Sequence, residues 1–122
     1  MISHTMLGTN NLETANAFYF EILSEVGGKQ IYKSDTVIFW EFSGSSSKLA
    51  ITVPFDGGPA TAGNGTMVAL NLGSPDKVNT VYSMALALGG SCEGGPGYRN
   101  DGAYYGAYFR DLDGNKIAIF CR

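Results

Sequence analysis

Residues 104–120, Tyr-Tyr-Gly-Ala-Tyr-Phe-Arg-Asp-Leu-Asp-Gly-Asn-Lys-Ile-Ala-Ile-Phe, read as two β runs joined by a tight reversal. Both runs are rich in aromatic and branched residues, which suit a pleated, half-buried surface. Between them, Asp113-Gly114-Asn115 supplies the turn. Gly and Asn accept positive φ, and Asp bonds back to the nearby backbone. Asp111 and Asp113 do not make a calcium loop, because the later acidic ligands and terminal Glu of such a loop are missing.

The second run of this hairpin contains Lys116-Ile117-Ala118-Ile119, and Lys48-Leu49-Ala50-Ile51 repeats that phrase 68 positions earlier. Outward from the two phrases, the order of elements also repeats. In one helix, Leu12, Ala15, Phe18, Tyr19, Ile22 and Leu23 recur at helical spacing behind Asn11, a good N-cap. In another, Ser74-Pro75-Asp76 gives a cap, a first-turn proline and a first-turn acid. Val78, Val81, Tyr82, Ala85 and Leu88 mark its apolar stripe, and Gly89-Gly90 ends it. Each helix follows a strand-like run (residues 2–7 and 66–72). Each precedes three more: residues 28–32, 37–42 and 48–53, then 91–93, 104–110 and 116–120. His4 to Met67 and Tyr19 to Tyr82 share an offset of 63, and loops absorb the difference from 68.

The expectation is an α+β fold of two βαβββ modules forming a cupped mixed sheet with helices outside, as one domain over residues 1–122. Module one covers about residues 1–53 and module two about 66–122. The Gly- and Pro-rich residues 54–65 link them. A hydrophobic content of 44% and a charged content of 16% suit a globular chain. A net charge of -3 with only eight Lys and Arg argues against nucleic acid and anionic membranes. No apolar run is long enough to span a bilayer, and the N-terminus lacks a secretory pattern, so the expected location is cytoplasmic. Cys92 and Cys121 form no C-x-x-C pair and read as buried, reduced thiols.

This arrangement resembles the vicinal oxygen chelate superfamily of glyoxalases, bleomycin-resistance proteins and extradiol dioxygenases. The resemblance covers nearly the whole chain. It rests on His4 in the first strand followed by Asn11 and the Phe18-Tyr19 helix, on the proline-bounded residues 54–66 (PFDGGPATAGNGT) leading into the fifth strand, and on the last hairpin. There Asp111-Leu112-Asp113-Gly114-Asn115 is similar to the family's D-P-D-G-N turn, with Leu112 in place of proline.

The resemblance implies a divalent metal held by a His or similar group from the start of each half and a Glu from the end. His4 fills the first place and is the only histidine. Its counterpart is Met67, a thioether that binds hard cations poorly. The carboxylate place falls on Ala118, and its repeat counterpart is Ala50. No metal or other cofactor is therefore expected, with a divalent metal anchored by His4 as the alternative. For His4 itself, a hydrogen-bonded strand histidine is favoured over a remnant ligand or acid/base.

Without the metal, the cleft floor of Ala50, Met67 and Ala118 is small and apolar. Trp40, Phe42, Tyr98, Tyr104, Tyr105 and Tyr108 are candidates to wall it. Arg99 and Arg110 are candidates to hold an anionic group. Tyr104 and Tyr105 are adjacent and point opposite ways, so at most one faces the cleft. The glycine-rich residues 89–97 lack the pattern of a phosphate cradle and read as a helix stop, a short strand and a loop, and the segment on through residues 98–102 is a candidate to cover the cleft.

The favoured function is metal-independent binding of a small organic ligand, for sequestration or resistance. The alternatives are a glyoxalase-like lyase or isomerase with an atypical metal set, with His4 as catalytic residue, and a degenerate copy with a structural or partner-binding role. A homodimer is the expected assembly, because βαβββ units have open edges and members of the family commonly dimerise.

Overall fold

The computed structural model describes residues 1–122. The elements run β1 (His4–Gly8), α1 (Leu12–Glu25), β2 (Gly28–Lys33), β3 (Val37–Phe42), β4 (Lys48–Thr52), β5 (Met67–Asn71), α2 (Pro75–Ala87), β6 (Ser91–Arg99), β7 (Tyr104–Arg110) and β8 (Lys116–Cys121). The two βαβββ modules of an α+β fold are thus present. Each forms its own four-stranded sheet, ordered β1-β4-β3-β2 and β5-β8-β7-β6. In each sheet the first and last strands of the module pair parallel and the other neighbours antiparallel. Met1–Thr61 and Ala62–Arg122 are two compact units, divided within residues 54–65.

Strand register carries the repeat residue by residue. His4 lies opposite Lys48 as Met67 lies opposite Lys116, and Met6 opposite Ala50 as Ala69 opposite Ala118. On the neighbouring strand, Phe39 lies opposite Ala50 as Tyr108 lies opposite Ala118. Trp40 and Phe109 correspond in the same way, opposite Leu49 and Ile117.

The helices begin where their caps predict. Asn11 Oδ1 accepts from the Thr14 amide and Ser74 Oγ from the Lys77 amide, each worth about 1 kcal/mol. Their ends show a further echo, Val26-Gly27-Gly28 and Leu88-Gly89-Gly90. Val26 and Leu88 are the C-caps, and the glycine after each has positive φ, 80° at Gly27 and 104° at Gly89. The second glycine of each pair lies at the entry to the next strand, as the first residue of β2 at Gly28 and just before β6 at Gly90, against the helix it has just left. A Cβ there would stand 2.8 Å from the Leu23 carbonyl oxygen at Gly28 and 2.8 Å from that of Ala85 at Gly90.

Each helix covers one sheet face. Ala15, Phe18, Tyr19, Ile22 and Leu23 of α1 are buried with Leu7, Ile38, Trp40, Leu49 and Ile51. Val78, Val81 and Ala85 of α2 are buried with Ala107, Phe109, Ile117, Ile119 and Cys121. Side chains alternate across a strand, so the intervening residues form the opposite, open face. In module one these are His4, Met6, Phe39 and Ala50. In module two they are Met67, Ala69, Tyr104, Tyr108, Ala118 and Phe120.

Two sequence expectations are corrected. The second module's glycine-rich segment is not a short strand followed by a loop. It continues as β6 through Arg99, with irregular register at Cys92/Gly94 and Gly94/Gly97. Bulges of this kind keep a segment paired that has few side chains to pack. The thiols also divide: Cys121 is buried, but Cys92 is exposed, and both are free. No helix is long and apolar enough to cross a membrane.

Candidate functional site

The last hairpin builds the site. Asp111 is the structural centre of its turn. It is 6% exposed, and its Oδ1 accepts from the amides of Asp113 and Asn115, both at 2.9 Å. Its Oδ2 accepts from the Asn115 side chain, also at 2.9 Å. Gly114 takes φ 87°. The carboxylate is used up inside the turn, and the turn fixes β7 against β8.

On that frame Tyr104, Gly106 and Tyr108 follow one another along the open face. Gly106 lacks the side chain that would separate the two tyrosines. A Cβ there would meet Tyr104 Cε2 at 3.1 Å, the Ile119 carbonyl oxygen at 3.1 Å and Phe120 Cβ at 3.3 Å. The Tyr104 ring therefore lies over the glycine, edge-on to Phe120 at 6.1 Å, and its hydroxyl meets that of Tyr108 at 2.5 Å. This hydrogen bond, and after it burial, hold the Tyr108 hydroxyl above the ordinary tyrosine range, while Arg99 pulls it the other way.

These rings border a cavity of about 210 Å³ lined by Met67, Ala69, Tyr104, Tyr108, Ala118, Ile119, Phe120 and Arg122. Three cations stand near its rings. Lys116 Nζ stands 5.6 Å and the Arg99 guanidinium 5.7 Å from the centre of the Tyr108 ring, and the Arg122 guanidinium 5.8 Å from that of Phe120. Arg99 folds back to donate to the Gly95 carbonyl at 2.6 Å. A Cβ at Gly97 would stand 2.9 Å from its Nη1, so the glycines of β6 make room for it.

Among the residues singled out from sequence, Met67, Tyr108, Ala118 and Tyr104 meet in this cavity, with Arg99 beside Tyr108. Ala69, Phe120 and Arg122 join them and were not anticipated. Tyr105 projects to the other face, where its hydroxyl donates to Asn79 Oδ1 of α2 at 2.6 Å, and Tyr98 packs edge-on to it at 5.0 Å. Arg110 is occupied twice, by Glu93 at 2.6 Å and by the Gly114 carbonyl at 3.1 Å. That pairing holds the Glu93 carboxyl below its usual range.

Trp40, His4 and Ala50 belong to the other module. Trp40 is buried beneath α1, 6.4 Å from the Tyr19 ring. His4 and Ala50 stand on that module's open face. His4 Nδ1 is 3.1 Å from Ser3 Oγ and its ring meets Phe39 edge-on at 5.3 Å.

The chain belongs to the glyoxalase/bleomycin resistance protein/dioxygenase superfamily, whose model matches residues 1–119. A crystal structure of a glyoxalase/bleomycin resistance protein from Albidiferax ferrireducens T118 is 36% identical, covers 100% of this chain and 98% of its own, and has a TM-score of 0.91. Two further structures share the fold at 21% identity. One is a glyoxalase-related enzyme from Fulvimarina pelagi, with TM-score 0.79 and coverage of 100% of this chain and 88% of its own. The other is a lactoylglutathione lyase from Agrobacterium tumefaciens, with TM-score 0.71 and coverage of 98% and 92%. No curated protein matches the sequence.

The superfamily's divalent metal does not fit the residues present. The residues that the sequence resemblance assigns to its ligand places are His4 and Ala50 in one unit and Met67 and Ala118 in the other, and His4 alone among them is a good donor for a hard cation. No three His, Cys, Asp or Glu side chains come together anywhere in the structure as a metal site would require.

Proposed function

We propose that the protein binds a small organic molecule without a metal, in the open-face cavity of the second module, and acts by sequestering it in the cytoplasm. The observation that supports this most directly is the lining. Ala69, Ala118, Met67 and Phe120 offer apolar surface, two tyrosines whose hydroxyls touch one another line it as well, and no Asp, Glu or His side chain does. Such a surface holds a ligand by burial and ring stacking, with few polar groups fixing its orientation. It offers no general base within reach, which favours retention of the ligand over its conversion. A homodimer fits this reading, since β1, β2, β5 and β6 are each outermost in their own sheets.

Two measurements test it together. Elemental analysis after dialysis against nickel, zinc, manganese and iron(II) is expected to find no stoichiometric ion. A thermal-shift screen of small aromatic compounds, neutral and charged, is expected to give concentration-dependent stabilisation that survives in His4→Ala. One ion per chain, or a response lost with His4, sinks the metal-independent reading and promotes a lyase or isomerase. Silence across the whole screen sinks ligand binding at this cavity.

A further inference from the structure

The cavity of the second module carries a polar signature that narrows its ligand, provided the binding reading above holds. Two hydroxyls in mutual contact possess two protons and use one between them. The second is left to donate outward, to whatever oxygen approaches the pair. A tyrosine with its hydroxyl held above the ordinary range keeps that proton through the neutral region.

Charge points the same way. Lys116 and Arg99 stand over the Tyr108 ring and Arg122 is part of the lining. Glu93, the carboxylate tied to this group of cations, is taken up by Arg110. The surroundings are thus positive in a chain whose net charge is -3. Size sets the last limit. A volume of about 210 Å³ falls below the roughly 300–1,000 Å³ of sites for drug-sized ligands, so the part of the occupant that it encloses is about the size of a single substituted ring.

We propose that this cavity takes a small organic monocarboxylate, its flat apolar body on Ala69, Ala118 and Phe120 and its carboxylate received by the Tyr104–Tyr108 hydroxyl pair. Lys116, Arg99 and Arg122 supply the field that favours the anion over a neutral isostere. Hydrogen bonds to a charged acceptor are the stronger kind, so loss of the charge costs more than loss of shape.

The test uses the full chain, titrated with benzoate, benzamide and benzylammonium while amide resonances are followed by NMR. Benzoate is expected to shift resonances of β5, β7 and β8 saturably. Benzamide is expected to bind about ten-fold more weakly, and benzylammonium not at all. The double variant Tyr104→Phe/Tyr108→Phe keeps ring and fold, and its spectrum reports that directly. It is expected to lose the preference for benzoate over benzamide.

Equal binding of benzoate and benzamide at those strands overturns the carboxylate inference and leaves the cavity as a binding site. A benzoate preference undiminished in the double variant overturns the hydroxyl pair as its receiver. No benzoate response at those strands overturns the inference outright. The thermal-shift screen then decides separately whether the binding reading falls with it.

Discussion

The open faces of the two modules have the same strand register but different chemistry. Where the second sheet has Tyr108 opposite Ala118, the first has Phe39 opposite Ala50. Where the second has Gly106 opposite Phe120, the first has Val37 opposite Thr52. Continuing one step further out, Tyr104 corresponds to Asp35, which precedes β3. One module therefore has a glycine gap bridged by a tyrosine, with two hydroxyls meeting across it. The other fills the gap with a branched side chain and has a ring with no hydroxyl. The difference shows how few residues separate a plain sheet face from a candidate site on one scaffold.

The most severe way to break the contrast is Gly106→Val, which gives the second sheet the first sheet's residue. The new side chain meets Tyr104, Phe120 and the Ile119 carbonyl within 3.3 Å. A stability loss of about 1–3 kcal/mol is expected from overpacking, together with loss of ligand response. Denaturant unfolding and the thermal-shift assay read the two effects. Asp111→Ala breaks the hairpin frame instead. It leaves two backbone amides and the Asn115 side chain without their shared acceptor, for an expected loss of about 2–3 kcal/mol by denaturant unfolding.

Val37→Gly/Phe39→Tyr sharpens the contrast from the other side. It installs the gap and one hydroxyl in the first sheet, but Asp35 supplies no second ring. No benzoate shift at β1, β3 or β4 is expected by NMR. Trp40→Phe makes the two helix-covered faces alike, because Phe109 holds the matching place. Trp40 Nε1 is buried without a hydrogen-bond partner, a cost that its removal relieves while the smaller ring loses packing. The two effects offset, and a net change within about 1 kcal/mol is expected by thermal unfolding.

The smallest effect concerns Glu93. Arg110 lowers its folded pKa, so its contribution is present above the unfolded carboxylate value and fades as pH falls through the folded one. In Arg110→Met this acid-side dependence of stability is expected to flatten slightly.

Much of the fold was legible because local signals agreed. Asn11 and Ser74 mark helix starts, the glycine pairs mark helix ends, and Lys48-Leu49-Ala50 and Lys116-Ile117-Ala118 align the closing strands. Glycine and proline ordinarily punctuate strands, so the sequence signals only a short β6, and the pairing with β7 carries the segment on. At the site, Ala118 was found through the repeat, but Phe120 and Arg122 follow it two and four positions on. Strict alternation along β8 already carried them to the same face. Alternation also separated Tyr104 from Tyr105 but could not say which of them turns toward α2. That choice depends on Asn79 and on a helix whose position only the folded chain supplies.

Trp40 is the chain's single tryptophan, and it lies in the core of the first module, whereas every tyrosine of the proposed site lies in the second. The protein thus carries a built-in optical label on one half. Indole emission followed during denaturation reports the first module's melting, and the assigned NMR resonances of Tyr104 and Tyr108 report the second's. Agreement of the two curves would show that a chain built from two similar halves melts as a single cooperative unit. Separation of the curves would show that each half still keeps a melting transition of its own.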